Sequence, residues 1–127
     1  MAIVHSTAIR TAIANLVVDA IDVGAGTNGT LQLLDGAVVD VTINLQEPAF
    51  GAAVAGVATA AGLPRSGVAA VGVAELDNFK IKDEDGTVIL TGTVTNKAGA
   101  GDIKIDNTMT AAGQTVYVDT LAYTAPA

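Results

Sequence analysis

Hydrophobic and polar positions follow two rhythms along this chain, and the change falls near Gly24. Between Thr7 and Ile21, apolar residues recur at Ile9, Ile13, Leu16, Val17, Ala20 and Ile21, the spacing of one side of a 3.6-residue helix. Arg10, Asn15, Asp19 and Asp22 fall largely off that stripe. Ser6 or Thr7 offers a hydroxyl to the unpaired first-turn N–H groups, and Gly24 is a suitable stop. The pattern predicts a helix from Thr7 to about Ile21. It occupies residues 1–23, packed on or extending from the rest of the chain.

From residue 24 to residue 127 the period is two. GAGTNG (Gly24 to Gly29) is a turn-rich connector, TLQLL a short strand, and Asp35-Gly36 a hairpin dipeptide. In VVDVTINLQ, Val39, Val41, Ile43 and Leu45 alternate with Asp40, Thr42, Asn44 and Gln46, which predicts a half-buried strand with Asp40 on its solvated face. Gly67 to Lys82 reads as extended. Leu76 is out of phase with Val71, Val73, Phe79 and Ile81, so a bulge or bend is expected near Asp77-Asn78. DEDG is a turn, Thr87 to Thr95 a strand, DIKID a short strand with Ile103 and Ile105 inward, and TVYVDTLAYT the last strand. Short strands about every ten residues, separated by Gly-rich turns, predict a single-domain, mainly β protein. The expected architecture is an antiparallel β-sandwich, jelly-roll-like, of seven or eight strands behind one N-terminal α-helix.

Composition sharpens this picture. The 127 residues suit one domain with its own core. Thirteen acidic residues against six basic ones give a net charge of −7, which disfavours nucleic acid and anionic lipid as partners. Half the residues are hydrophobic, mostly Ala, Val, Ile and Leu, and the mean hydropathy is +0.51. That excess points to apolar area buried against partners as well as in the core. The absence of Cys removes disulfides and thiolate metal sites. No run approaches the about 18 apolar residues that cross a bilayer, so no membrane partner is expected. MAIVHSTAIR has no basic stretch before a long apolar run, so no secretory signal is expected.

The residues that carry chemistry are few. His5 is the single histidine and precedes the helix, far from the partners that a nucleophile's base requires. Asp83, Glu84 and Asp85 lack calcium-loop spacing, and Asp102 and Asp106 join them only if the turns meet. The glycines of VGAGTNG follow a helix and precede a strand, the reverse of a phosphate-binding loop. Glu75 and Asp77 resemble a glycosidase pair without an aromatic cleft, since the chain has two Phe, two Tyr and no Trp. No catalytic residue, metal site or cofactor is expected, and the chain reads as a non-enzyme.

The order of turn and packing residues is similar to that of the head decoration, or cement, proteins of tailed bacteriophages. It is carried by PAFG at Pro48 to Gly51, GVATA at Gly56 to Ala60, Phe79, and DGT at Asp85 to Thr87. Gly92 with Val94, Gly101-Asp102, Asn107, Thr110, Gly113 with Val116, and Thr124 to Pro126 complete it. The middle, AGLPRSGVAAVG, is more apolar than the Ser/Thr/Asp-rich connector of that family. The resemblance implies a jelly-roll-like sandwich that binds the outside of a capsid shell and stabilises it. Its partners would be the major capsid protein and copies of itself. Its place would be the virion exterior, assembled in the bacterial host cytoplasm. A tail or head–tail connector component and a carbohydrate-binding module are the alternatives. The expected capsid or subunit contacts are Ile9 and Ile13 on the helix, with Pro48, Phe50, Val54 and Val57 in QEPAFGAAVAGVATAAG. Small side chains there allow close backbone approach, at a sandwich corner or a subunit contact. A bulky charge at Ala55 or Ala58 is expected to be harmful, and one at Asp40 silent.

Overall fold

In a computed structural model, which describes residues 3–126, the order is α1 (Thr7–Asp19), a 3-10 turn (Ala20–Asp22) and nine strands. These are β1 (Thr30–Asp35), β2 (Val38–Asn44), β3 (Val57–Thr59), β4 (Arg65–Val68), β5 (Asn78–Lys82), β6 (Val88–Asn96), β7 (Ile103–Ile105), β8 (Thr115–Val118) and β9 (Ala122–Thr124). The protein is mainly β with one N-terminal helix. Ser6 caps that helix as its sequence suggested, its hydroxyl accepting the Ile9 N–H at 3.3 Å.

Five strands form one sheet in the order β2-β1-β5-β6-β7. β4 pairs with β8 as a separate ribbon; β4 packs on β2 and β8 on β7, the two edges of that sheet. The sheet is therefore curled, with the ribbon bridging its edges into a β-sandwich-like enclosure that protects them. β4 lies so close over β2 that a Cβ at Gly67 would fall 2.7 Å from the Thr42 carbonyl oxygen and 2.8 Å from the Val41 side chain. β3 and β9 form a second ribbon, against which α1 packs.

Three expectations need correction. The sheet is mixed, because β6 and β7 run parallel over Val94–Asn96 and Ile103–Ile105. The final strand divides into β8 and β9, which serve different ribbons. Residues 67–82 likewise divide: β4 ends at Val68, irregular backbone follows, and β5 starts at Asn78.

Asp40 is the fourth correction. The β1–β2 register jumps from Leu33↔Val41 to Leu34↔Val39, leaving Asp40 as an extra residue. A bulge of this kind reverses facing, because successive residues in a strand point to opposite sides. Val39 turns outward and Asp40 is 2 % exposed. Its carboxylate accepts the Val71 and Gly72 N–H groups at 2.9 and 3.0 Å and the Thr110 hydroxyl at 2.6 Å. Burial alone would raise its pKa. The Thr110 hydroxyl and these backbone donors prevail, and the pKa lies below the ordinary carboxylate value.

One continuous core unites helix and strands. Ala14, Val18 and Ile21 join Leu31, Leu33, Val41, Ile43, Phe79, Ile81, Ile103 and Ile105. Phe50 and the small residues Ala49, Ala53, Ala58 and Ala60 complete it beneath α1. Val54 and Val57 exchange both backbone hydrogen bonds at 2.9 and 3.0 Å, closing a two-residue hairpin turn. Both central residues have positive φ, 51° at Ala55 and 82° at Gly56, the signature of a type I′ turn. A left-handed conformation costs a non-glycine L-residue about 1–2 kcal/mol. Ala55→Gly is accordingly expected to stabilise the protein by about 1 kcal/mol in urea unfolding. A loss of stability would show that the turn is not of this type.

Candidate functional site

The helix presents its chemistry in an unusual direction. Its inward side carries polar groups that bind backbone. Asp22 accepts the Ala49 N–H at 2.9 Å, Asn15 the Ala53 N–H at 2.8 Å and Thr11 the Gly56 N–H at 3.0 Å. Arg10 donates to the Ala125 carbonyl at 3.2 Å. Thr11 and Asn15 of α1, with Asp22 of the 3-10 turn, thus hold the irregular segment from Ala49 to Gly56, whose backbone has few strand partners of its own. An unpaired buried N–H costs about 1–3 kcal/mol, which is why polar residues occupy these inward positions. Asn15→Leu is expected to lower stability by about 1–2 kcal/mol despite adding apolar area, read by denaturant midpoint. An increase in midpoint would contradict this role for Asn15.

The outward side is apolar. Ile9 is 50 % and Leu16 73 % exposed, with Ala12 exposed between them at helical spacing. Val54, at the hairpin held under the helix, is 75 % exposed. Ile3 and Val4, in the extended segment ahead of α1, are 92 % and 69 % exposed. The charged residues within α1 are Arg10, which reaches Ala125, and Asp19 at the C-terminal end.

Of the six residues expected at a contact, Ile9 lies on this face, while Val54 is exposed on the hairpin and Pro48 is exposed after β2. Ile13 is half-buried against the core and Val57 is half-buried in β3. Phe50 is 5 % exposed and belongs to the core. Leu16, the more exposed of the two large hydrophobic residues on this face, belongs to the helical stripe but is not among the six. Its stripe straddles the inner and outer sides, and periodicity alone does not say which side meets the core.

The candidate chemical groups are dispersed in structural roles. Asp83 accepts the Asp85 and Thr87 N–H groups within the β5–β6 turn, and Asp85 accepts the Ala25 N–H of the glycine-rich connector. Asp102 receives the Thr93 N–H and hydroxyl, while Asp106 pairs with Lys97. Asp77 accepts the Gly36 N–H and the Asn78 amide, and Asp35 receives the Glu75 N–H. His5 is exposed ahead of the helix. Among the described residues no group of three or more His, Cys, Asp or Glu is placed to hold a metal ion, and no helix is long and apolar enough to cross a membrane. Phe50 and Phe79 are buried, Tyr123 is half-buried and Tyr117 stands exposed on β8, so these aromatics form no flat platform for a sugar.

One acidic contact is unfavourable at neutral pH. Burial raises the pKa of Asp22 against the Ala49 N–H, with repulsion from Glu47 and Asp19 adding to it. Glu47 is also raised, by desolvation and by the carboxylate of Glu84 beside it.

A groove of about 290 Å³ lies between β6 and β9. Phe79, Ile81, Leu90 and Leu121 line it, and Thr91, Asp102 and Thr124 stand at its borders. It brings together no nucleophile, base and oxyanion donor. Comparison with protein-family models, curated proteins and solved structures finds no match for this chain.

Proposed function

We propose that this is a non-catalytic structural protein that binds the outside of a tailed-phage capsid shell and stabilises it. The observation that carries the reading is the outward apolar stripe of α1, Ile9, Ala12 and Leu16, with Val54 also exposed on the hairpin. A protein of net charge −7 keeps this stripe free of charge, although solvation alone would favour polar residues there. A docking face for a larger body accounts for it, while the acidic remainder keeps the free protein soluble. The ordered turn and packing residues that resemble decoration proteins support the choice of a capsid as that body. The dispersal of His5 and the carboxylates into separate structural contacts supports a binding role over a catalytic one.

Each copy would contribute modest affinity, since burying one Leu or Ile side chain yields about 1.5–3 kcal/mol. Many copies on a symmetric shell multiply the stabilisation. The test is co-sedimentation with expanded shells assembled from the major capsid protein of the same genome. Saturable binding, with shells that resist heat or low salt better than bare ones, supports the proposal. Absence of binding overturns it, and closed six- or twelve-fold rings of the isolated protein would favour the tail or connector reading.

A further inference from the structure

We infer that the groove between β6 and β9 is a strand-accepting site whose occupant is the Ile3–Ser6 segment of a second copy of this chain. The inference goes beyond shell binding and concerns the free protein.

Each wall of the groove carries strand backbone without a ladder partner: the first half of β6, beyond the reach of β7, and the side of β9 away from β3. In the β5–β6 pairing, Val94 donates to Asp77, so Gly92 and Leu90 face β5 while Thr91 and Thr93 present their backbone to the other side. β7 covers that side only from Val94 to Asn96. The Thr93 N–H is taken by Asp102, and among the described residues Thr91 has no backbone partner there. Across the groove, Leu121 and Ala125 bond to β3-side residues, the former through its carbonyl to Ala60 and the latter through its N–H to Gly56. Ala122 and Thr124 therefore direct their N–H and C=O groups away from β3, into the groove. Thr91 on one wall and Ala122 and Thr124 on the other leave unmade ladder bonds above an apolar floor of Phe79, Ile81, Leu90 and Leu121. A β-strand satisfies such a site: its backbone pairs with the edges and alternate side chains enter the floor.

The chain carries a suitable segment. Residues 3–6 are not helical, Ser6 is extended at φ −63° and ψ 159°, and Ile3 and Val4 are β-branched and largely exposed. Four extended residues span about 13 Å, enough to cover the three residues of β9. The segment also starts in the right place. Arg10 bonds to Ala125, immediately after β9, and Ser6 lies about one helical turn before Arg10. The segment leaves each copy close to one end of its groove. Two copies related by a two-fold axis can thus exchange segments reciprocally, in a closed dimer.

The test is sedimentation velocity of the full chain over a concentration series, with residue-resolved hydrogen exchange. The expected result is a reversible dimer in which the Thr91, Ala122 and Thr124 amides exchange more slowly than in the monomer. Thr91→Pro removes an edge N–H that β5 does not use. The double change Ile3→Asp, Val4→Asp removes the apolar side chains of the segment. Each is expected to weaken dimerisation by about tenfold or more while leaving the circular dichroism of the monomer unchanged. Leu16→Glu, on the outer face of α1, is expected to leave dimerisation unchanged. A monomer at all concentrations, or a dimer indifferent to both groove and segment variants, would overturn the inference. So would a dimer with fast exchange at the three amides. Should Thr91→Pro fail to fold, the segment variant and the exchange pattern decide alone.

Discussion

Asp40→Ala is expected to lower the unfolding free energy by about 3 kcal/mol and the Tm by on the order of 10 °C. The carboxylate is 2 % exposed and receives three hydrogen bonds, from Val71, Gly72 and Thr110. Hydrogen bonds to a charged group contribute about 1.5–3 kcal/mol each, and truncation leaves donors from two separated segments without an acceptor. Asp40→Asn keeps the volume and one carbonyl oxygen, so about half the loss is expected.

The pH dependence separates charge from shape. The Asp40 pKa is lowered on folding, so its contribution is present above the ordinary value of 3.8 and disappears as pH falls through the lowered one. Asp22 and Glu47 act in the opposite sense. Their pKa values are raised, first by desolvation and then by neighbouring carboxylates, so their charged forms weigh on the fold at neutral pH and are relieved as pH falls through those raised values. Thermal unfolding from neutral pH to about pH 2 should therefore show stability rising slightly before it falls. In Asp40→Asn the component of the acid limb due to this residue should vanish. An unchanged acid limb would assign the lability to other carboxylates.

Replacing Ile9 and Leu16 together by Glu is expected to reduce shell binding by about 100-fold or more while leaving the Tm within a few degrees of the parent. Both side chains project outward, so the fold loses little, whereas two buried carboxylates would oppose docking. Tyr117→Glu is the matching control. Tyr117 is 54 % exposed on β8, within the β4–β8 ribbon rather than on the helix face, and binding should persist. Loss of binding in the Tyr117 variant with retention in the helix variant would move the contact surface to that ribbon.

Much of the fold was legible in the chain because the signals were local. Ser6, Asp35-Gly36, the DEDG turn and the Ile103/Ile105 alternation each determine a few neighbouring residues through capping, turn geometry or the two-residue period. What escaped depended on contacts across the chain. Asp40 reads as a solvated strand residue until the bulge against Leu33 and Leu34 turns it inward, where Thr110 waits 70 residues away. Its partners decide its environment, and the two-residue period carries no information about them. TVYVDTLAYT has strand propensity throughout, yet β8 and β9 must serve ribbons on different parts of the enclosure.

The helix shows why the site was only half readable. Ile9 and Val54 were accessible to pattern reasoning as apolar residues beside small ones. The pattern does not mark Leu16 out, and Phe50, expected at a contact, packs in the core. The deciding feature is the inward polar stripe of Thr11, Asn15 and Asp22, which serves the backbone of Ala49 to Gly56. Polar residues on a helix ordinarily mark its solvated side, so the stripe pointed the wrong way until the segment it holds was seen. Small residues in Ala49 to Ala60 bring that backbone close enough for these bonds, and this is the use to which the Ala/Gly-rich stretch is put. Ala58 is fully buried there, while Ala55 sits exposed at the hairpin tip.

Cryo-electron microscopy of shells saturated with the protein tests the central claim most directly. The account predicts ordered copies on the outer surface, with Ile9, Leu16 and Val54 against the capsid protein. Bare shells, density on the inner surface, or copies seated with α1 facing solvent would contradict it.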